Sequence, residues 1–217
     1  MKNYNNLSKI LHKQFLSKNQ ITDFFIDKII TQSKYIDLEK YQYIFVSGLA
    51  RSGTTSLLQA LDGSKEFSSI RYKYMPFILN PKLAKFFSRF QNKIKLQERF
   101  HSDGIKINSE SPECLDEPFW INSTYSKLKF DNYLYPHELD DISIKSYAYL
   151  LEKYSNIECK KRIVIKNNNN HLRIFKLSKF LRNSKFLILF RSPLAHSKSL
   201  LSQHKRFIEL QKKDIFL

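Results

Sequence analysis

Cysteine, glycine and proline are all scarce in this chain of 217 residues, which has two, four and six of them. The two cysteines, Cys114 and Cys159, form no C-x-x-C pair and join no Cys/His cluster at ligand spacing. That excludes a disulfide-stapled fold, argues against a structural zinc and fits a reducing compartment. Low-complexity sequence is confined to the asparagine run Asn167–Asn170, so a fibrous or linker-like chain is excluded as well. Long apolar runs are missing too. Met1 to Leu16 carries lysines and asparagines without the hydrophobic centre of a signal peptide, and no stretch approaches the length of a membrane span. The expectation is a cytoplasmic protein. The last deficit is acid: 20 Asp+Glu stand against 37 Lys+Arg, a formal charge of +17. Such an excess favours anionic partners, among them nucleotides, sulfated or phosphorylated products and membrane surfaces. The basic residues are dispersed and form no patch interleaved with aromatics, so specific nucleic-acid binding is not expected.

What is present reads as alternating strands and helices. The length suits one α/β domain over 1–217, with helices over 1–40 preceding a core over 41–210. Ile21, Phe24, Phe25 and Ile29 place an apolar stripe on an early helix. Strands are expected at Tyr43–Val46, Phe67–Ile70, Ile105–Asn108, Arg162–Lys166 and Lys185–Phe190. Helices are expected at about 81–90, 93–100, 140–154 and 172–181, from Ser111-Pro112-Glu113 onward, and past Arg206. Tyr125 to Tyr135 has no clear period and reads as a loop. The alternation predicts a central parallel sheet flanked by helices, with ligands at the carboxyl ends of the strands.

The chain is organised around Gly48 to Ser56, Gly-Leu-Ala-Arg-Ser-Gly-Thr-Thr-Ser, between an expected strand and an expected helix. That geometry aims backbone N–H groups and a positive helix end at an anion. Gly48 and Gly53 have the spacing of a Walker A loop, but Thr54 stands where nucleotide-hydrolysing enzymes have lysine. The cation is Arg51 instead. A kinase-like P-loop protein is therefore the lesser alternative, and a non-enzymatic basic anion-binding protein is another.

Arg51-Ser52-Gly53-Thr54-Thr55 resembles the 5′-phosphosulfate loop of the P-loop sulfotransferases. Arg191-Ser192-Pro193, with Ser199 eight residues beyond Arg191, resembles their 3′-phosphate element, Ser197 being the alternative hydroxyl. A guanidinium fork with a helix hydroxyl suits a phosphate monoester. Arg71-Tyr72, Met75-Pro76-Phe77, Ser111-Pro112-Glu113, Phe119-Trp120 and Gln203-His204 extend the likeness to a bacterial branch of that superfamily over about 43–207. Lys73 departs from it, because an acidic residue is expected there.

The resemblance implies a P-loop NTPase-like sulfotransferase fold and a sulfuryl transfer from 3′-phosphoadenosine 5′-phosphosulfate (PAPS) to an acceptor hydroxyl or amine. The acceptor, whether glycan, lipid or small molecule, is open. Arg51, Ser52, Gly53, Thr54, Thr55, Ser56, Arg191 and Ser199 are the expected binding residues, with Arg51 also stabilising charge on the leaving oxygen. No metal is expected. A general base is required, and His101 is the first candidate, with Glu113 and Glu117 as rivals and Lys166 as a further contact to the sulfuryl group. The family usually continues with another helical section, so the carboxyl-terminal part is expected to be incomplete.

Overall fold

The computed structural model describes residues 6–90, 95–98, 104–113, 115–124 and 139–213. Two helices, α1 (Asn6–Leu16) and α2 (Gln20–Ser33), precede the first strand, β1 (Gln42–Gly48). α2 starts where a capping box permits: Asn19 Oδ1 accepts from the Ile21 and Thr22 amides, and Thr22 Oγ1 accepts from the Asn19 amide. It buries Phe25, Ile26 and Ile29 but leaves Phe24 outside.

After β1 come α3 (Thr54–Gly63), β2 (Phe67–Ser68), a 3-10 turn over Tyr72–Tyr74 and α4 (Pro81–Ser88). The short strands β3 (Gln97–Glu98) and β4 (Lys106–Ile107) form a two-stranded antiparallel ribbon. Then follow α5 (Glu117–Thr124), α6 (Asp141–Ile157), β5 (Arg162–Lys166), a 3-10 turn over Asn168–Leu172, α7 (Ile174–Phe180), β6 (Ser184–Leu189) and α8 (Pro193–Lys213). The main sheet is parallel throughout, in the order β2-β5-β1-β6. Among the described residues no helix is long and apolar enough to cross a membrane.

β1 shows why the sheet is central. Tyr43 and Phe45 pack into a large core with α2 and α6, while Ile44 and Val46 join Leu58 of α3 and Val164 on the opposite face. Successive side chains point to opposite faces, so a strand apolar at every position needs cover on both. Register then places the chemistry. Val46 lies level with Lys166 and Leu187, and Gly48 with Leu189, so the loop after β1, Lys166 and the segment after β6 converge at the carboxyl edge of the sheet.

Several expectations are corrected. Gln97–Glu98 is a strand, not part of a helix over 93–100, because it pairs with Lys106–Ile107; residues 91–94 and 99–100 lie outside the described residues. The helix expected from Ser111-Pro112-Glu113 begins only at Glu117. Asn108 and Ser111 close a turn on each other instead, and Pro112 bridges to Arg71. β2 is shorter than Phe67–Ile70, and the loop read over Tyr125–Tyr135 lies outside the described residues. Lys73, the departure from the bacterial pattern, ion-pairs with Glu110 at 2.6 Å.

Candidate active site

The loop is built by two glycines with different tasks. Gly48 has φ +153°, and a Cβ there would stand 2.7 Å from Ser52 Oγ and 2.8 Å from the Leu189 carbonyl oxygen. Only a residue without a side chain lets the loop turn so closely over the end of β6. Gly53, at the start of α3, has φ +100°, and a Cβ would meet only Leu189 Cδ2 at 3.8 Å. Its constraint is conformational, and it leaves open space at the positive end of a helix. Arg51 between them is also left-handed, at φ +71°.

The segment after β6 braces this loop. Arg191 Nη1 donates to the Arg51 carbonyl oxygen at 3.2 Å, and Arg51 Nε donates to Ser199 Oγ at 3.0 Å. His196 Nε2 lies 2.7 Å from the Ala50 carbonyl oxygen, so this nitrogen carries the proton. Ser199 therefore faces the loop, while Ser197 is exposed. On the β5 side, Thr54 Oγ1 donates to Asn168 Oδ1 and Ser47 Oγ to the Asn168 carbonyl oxygen, both at 3.4 Å.

These elements enclose a cleft of about 250 Å³ lined by Arg51, Gly53–Ser56, Lys166, Asn168 and Arg191, among others. Lys166 is buried and ion-paired with Glu113 at 2.9 Å. The Ser52 hydroxyl is buried without a hydrogen-bond partner. A buried hydroxyl is rarely left unsatisfied, and here it sits in a loop whose helix end and arginines favour an anion. Among the described residues no His, Cys, Asp and Glu side chains group closely enough to hold a metal ion.

Behind the cleft lies a carboxylate network that the sequence did not disclose. Asp116, fully buried, accepts from Tyr147 OH at 2.6 Å, Trp120 Nε1 at 3.3 Å and Asn167 Nδ2 at 3.0 Å. Burial pushes its carboxyl up, against the opposing pull of the Tyr147 hydroxyl. Glu117 accepts from both terminal nitrogens of Arg173, at 3.0 and 3.2 Å, and from Asn167 and Asn169. Burial acts to raise Glu117, but the Arg173 fork and the two amides outweigh it and hold the carboxyl below its ordinary value. Arg173 in turn lies over the Trp120 ring at 4.7 Å. The asparagine run is thus divided: Asn168 faces the cleft, and Asn167 and Asn169 hold carboxylates. Its position directly after a buried strand was the available signal.

Of the candidate bases, Glu117 is committed to Arg173, Glu113 touches Lys166 at the cleft, and His101 lies outside the described residues.

Fold and cleft together define an α/β protein with a glycine loop and a cation-lined cleft at the carboxyl edge of a parallel sheet. A model of the sulfotransferase family matches residues 43–213, and the chain belongs to that family. The crystal structure of sulfotransferase STF1 from Mycobacterium tuberculosis H37Rv (type1 form) is similar at 15% identity, with a TM-score of 0.49, over 86% of this chain and 56% of that one. The chain thus spans little more than half the length of that protein. No curated protein matches it.

Proposed function

We propose that the cleft binds PAPS and that the protein transfers its sulfuryl group to an acceptor hydroxyl or amine. The observation that carries this reading is the convergence of Arg51, Arg191 and Lys166 on one cleft at a glycine loop that has Thr54 in place of the Walker lysine. The fit to a nucleotide with two phosphate-bearing ends is physical. Gly53 leaves open space for one anion at the positive end of α3, and Arg191 with Ser199 stands ready for another. When bound, PAPS supplies a sulfuryl group whose transfer leaves 3′,5′-adenosine bisphosphate.

The chain's own residues do the rest. Arg51 and the loop amides form a fixed positive field against the charge that develops on the bridging oxygen. Lys166, held in place by Glu113, extends that field to the acceptor side of the cleft. The acceptor must lose a proton, and Glu113 and His101 are the two groups proposed to take it. The acceptor itself is a glycan, a lipid or a small molecule.

Calorimetric titration with 3′,5′-adenosine bisphosphate, with ATP as competitor, tests the reading on the wild-type chain, Arg51→Ala and Arg191→Ala. Binding that weakens about tenfold or more in both variants and resists ATP supports it. No binding by a folded wild-type chain, or equal competition by ATP, overturns it.

A further inference from the structure

A second surface, remote from the cleft, combines exposed aromatic rings with unpaired positive charge. α4 begins at Pro81, capped by Asn80 Oδ1 accepting from the Leu83 amide. It buries Ala84 and turns Phe86 and Phe87 outward, 52% and 40% exposed, followed by Phe90 at 70%. The rings touch one another: Phe86 is 5.3 Å from Phe87 and 5.2 Å from Phe90, and Phe87 stacks on Phe77 at 4.7 Å. Lys82, Lys85 and Arg89 interleave with them, all exposed and without an ion-pair partner among the described residues.

Beside α4 runs a groove of about 350 Å³ between α2, α4 and α6. Phe25, Ile29, Leu79 and Leu83 lie among its apolar lining, four lysines including Lys28 and Lys153 stand around it, and the lining holds no carboxylate. The groove lies on the last turns of α6, which ends at Ile157 just before β5 begins. It therefore sits toward the amino ends of the strands, opposite the glycine loop.

We propose that this face docks onto an anionic lipid bilayer, with Phe86 and Phe90 entering the interface and Lys82, Lys85 and Arg89 meeting headgroup phosphates. Contiguous exposed aromatics on a soluble domain mark an interaction site. The choice of occupant rests on charge complementarity. Protein–protein interface cores are depleted in lysine, whereas here three cations flank three exposed rings within residues 82–90. Stable membrane attachment takes two signals, such as an apolar insertion and a basic patch, and both are present over residues 82–90. The proposal does not depend on what the cleft binds.

Flotation of the full chain with vesicles of phosphatidylcholine, alone or mixed with phosphatidylglycerol, tests it. The wild type should float with the mixed vesicles and not with the neutral ones. Phe86→Ser with Phe90→Ser should weaken partitioning about tenfold or more. Lys82→Glu with Lys85→Glu should abolish it, while Lys34→Glu with Lys65→Glu, an equal change of charge elsewhere, should preserve it. All four positions changed to Glu are exposed, and far-UV circular dichroism checks folding. The proposal is overturned if the wild type binds neither vesicle. It is also overturned if the phenylalanine variant binds as well as the wild type, if the two charge pairs lose binding equally, or if the phenylalanine change only dissolves a dimer.

Discussion

The Arg51 guanidinium reaches across 148 residues of sequence to donate to the Ser199 hydroxyl, 3.0 Å away, so the loop after β1 and the helix after β6 share one hydrogen bond. Arg191 closes the same junction from the other side by holding the Arg51 carbonyl oxygen. The proposed loop and helix sites for the two ends of the nucleotide therefore share a common pair of side chains.

That junction separates charge from geometry. Arg51→Ala removes a charge-assisted donor and should weaken bisphosphate binding by about 1.5–3 kcal/mol. Ser199→Ala removes one neutral partner and leaves the arginine free to reorient, so its loss should be about 1 kcal/mol. Calorimetry on both variants checks the order, and equal losses would show that Arg51 acts only through Ser199.

The two loop glycines should respond differently to alanine. At Gly53 the added methyl meets nothing closer than 3.8 Å, so the penalty is backbone strain at φ +100°, about 1–3 kcal/mol. At Gly48 the same substitution adds a collision with Ser52 Oγ and a backbone carbonyl under 3.0 Å. Urea unfolding should show Gly48→Ala as the less stable variant. The reverse order would mean that the end of β6 yields more easily than the loop.

The pH dependence of turnover should identify the base. With acceptor and PAPS supplied, a histidine base places the acidic limb at higher pH than a glutamate base does. His101→Ala and Glu113→Gln should each be assayed across the acidic range. The variant that removes the limb, and not merely the rate, marks the base. Glu113→Gln has a second readout, because it leaves the buried Lys166 without the counter-charge the wild type provides.

Much of this arrangement is legible in the residues, and the remainder fails for identifiable reasons. β1, β5 and β6 announce themselves as apolar runs, and the glycine spacing with Arg51 marks the loop, because these depend on local pattern alone. The false helix start at Ser111-Pro112-Glu113 obeys every local rule for capping, yet pairing of Pro112 with Arg71 prevails. Arg71 is itself fixed by Asp62 at 2.8 Å and Glu158 at 2.5 Å, partners far apart in sequence. β6 is the reverse case. Its run Phe186–Leu189 has the composition of a strand covered on both faces, but it forms an edge with Leu187 and Ile188 37% and 45% exposed. The roles of Asn167, Asn169 and Arg173 could not be read, since amides and guanidinium gain their meaning only from the carboxylates brought to them by α5.

Glu117 yields the sharpest stability prediction. Its carboxyl is held below the ordinary glutamate value of 4.5, with the Arg173 pair as the main stabilising influence opposing burial. For a depressed carboxylate, the stabilisation is complete above the unfolded value and fades as pH falls through the folded one. The wild type should therefore lose unfolding free energy on acidification below about pH 4.5, and Glu117→Gln should lack that part of the slope. The same substitution should already destabilise the protein at neutral pH by about 3–5 kcal/mol, because Arg173, with 2% of its side chain exposed, keeps a buried charge without its counter-ion. Replacing both residues, Glu117→Gln with Arg173→Met, removes that charge and should recover much of the loss while retaining an apolar contact with Trp120. Urea titrations of the three variants at neutral and acid pH provide the check. A double variant no more stable than Glu117→Gln would show that the asparagine contacts, and not the ion pair, hold α5 to the end of β5.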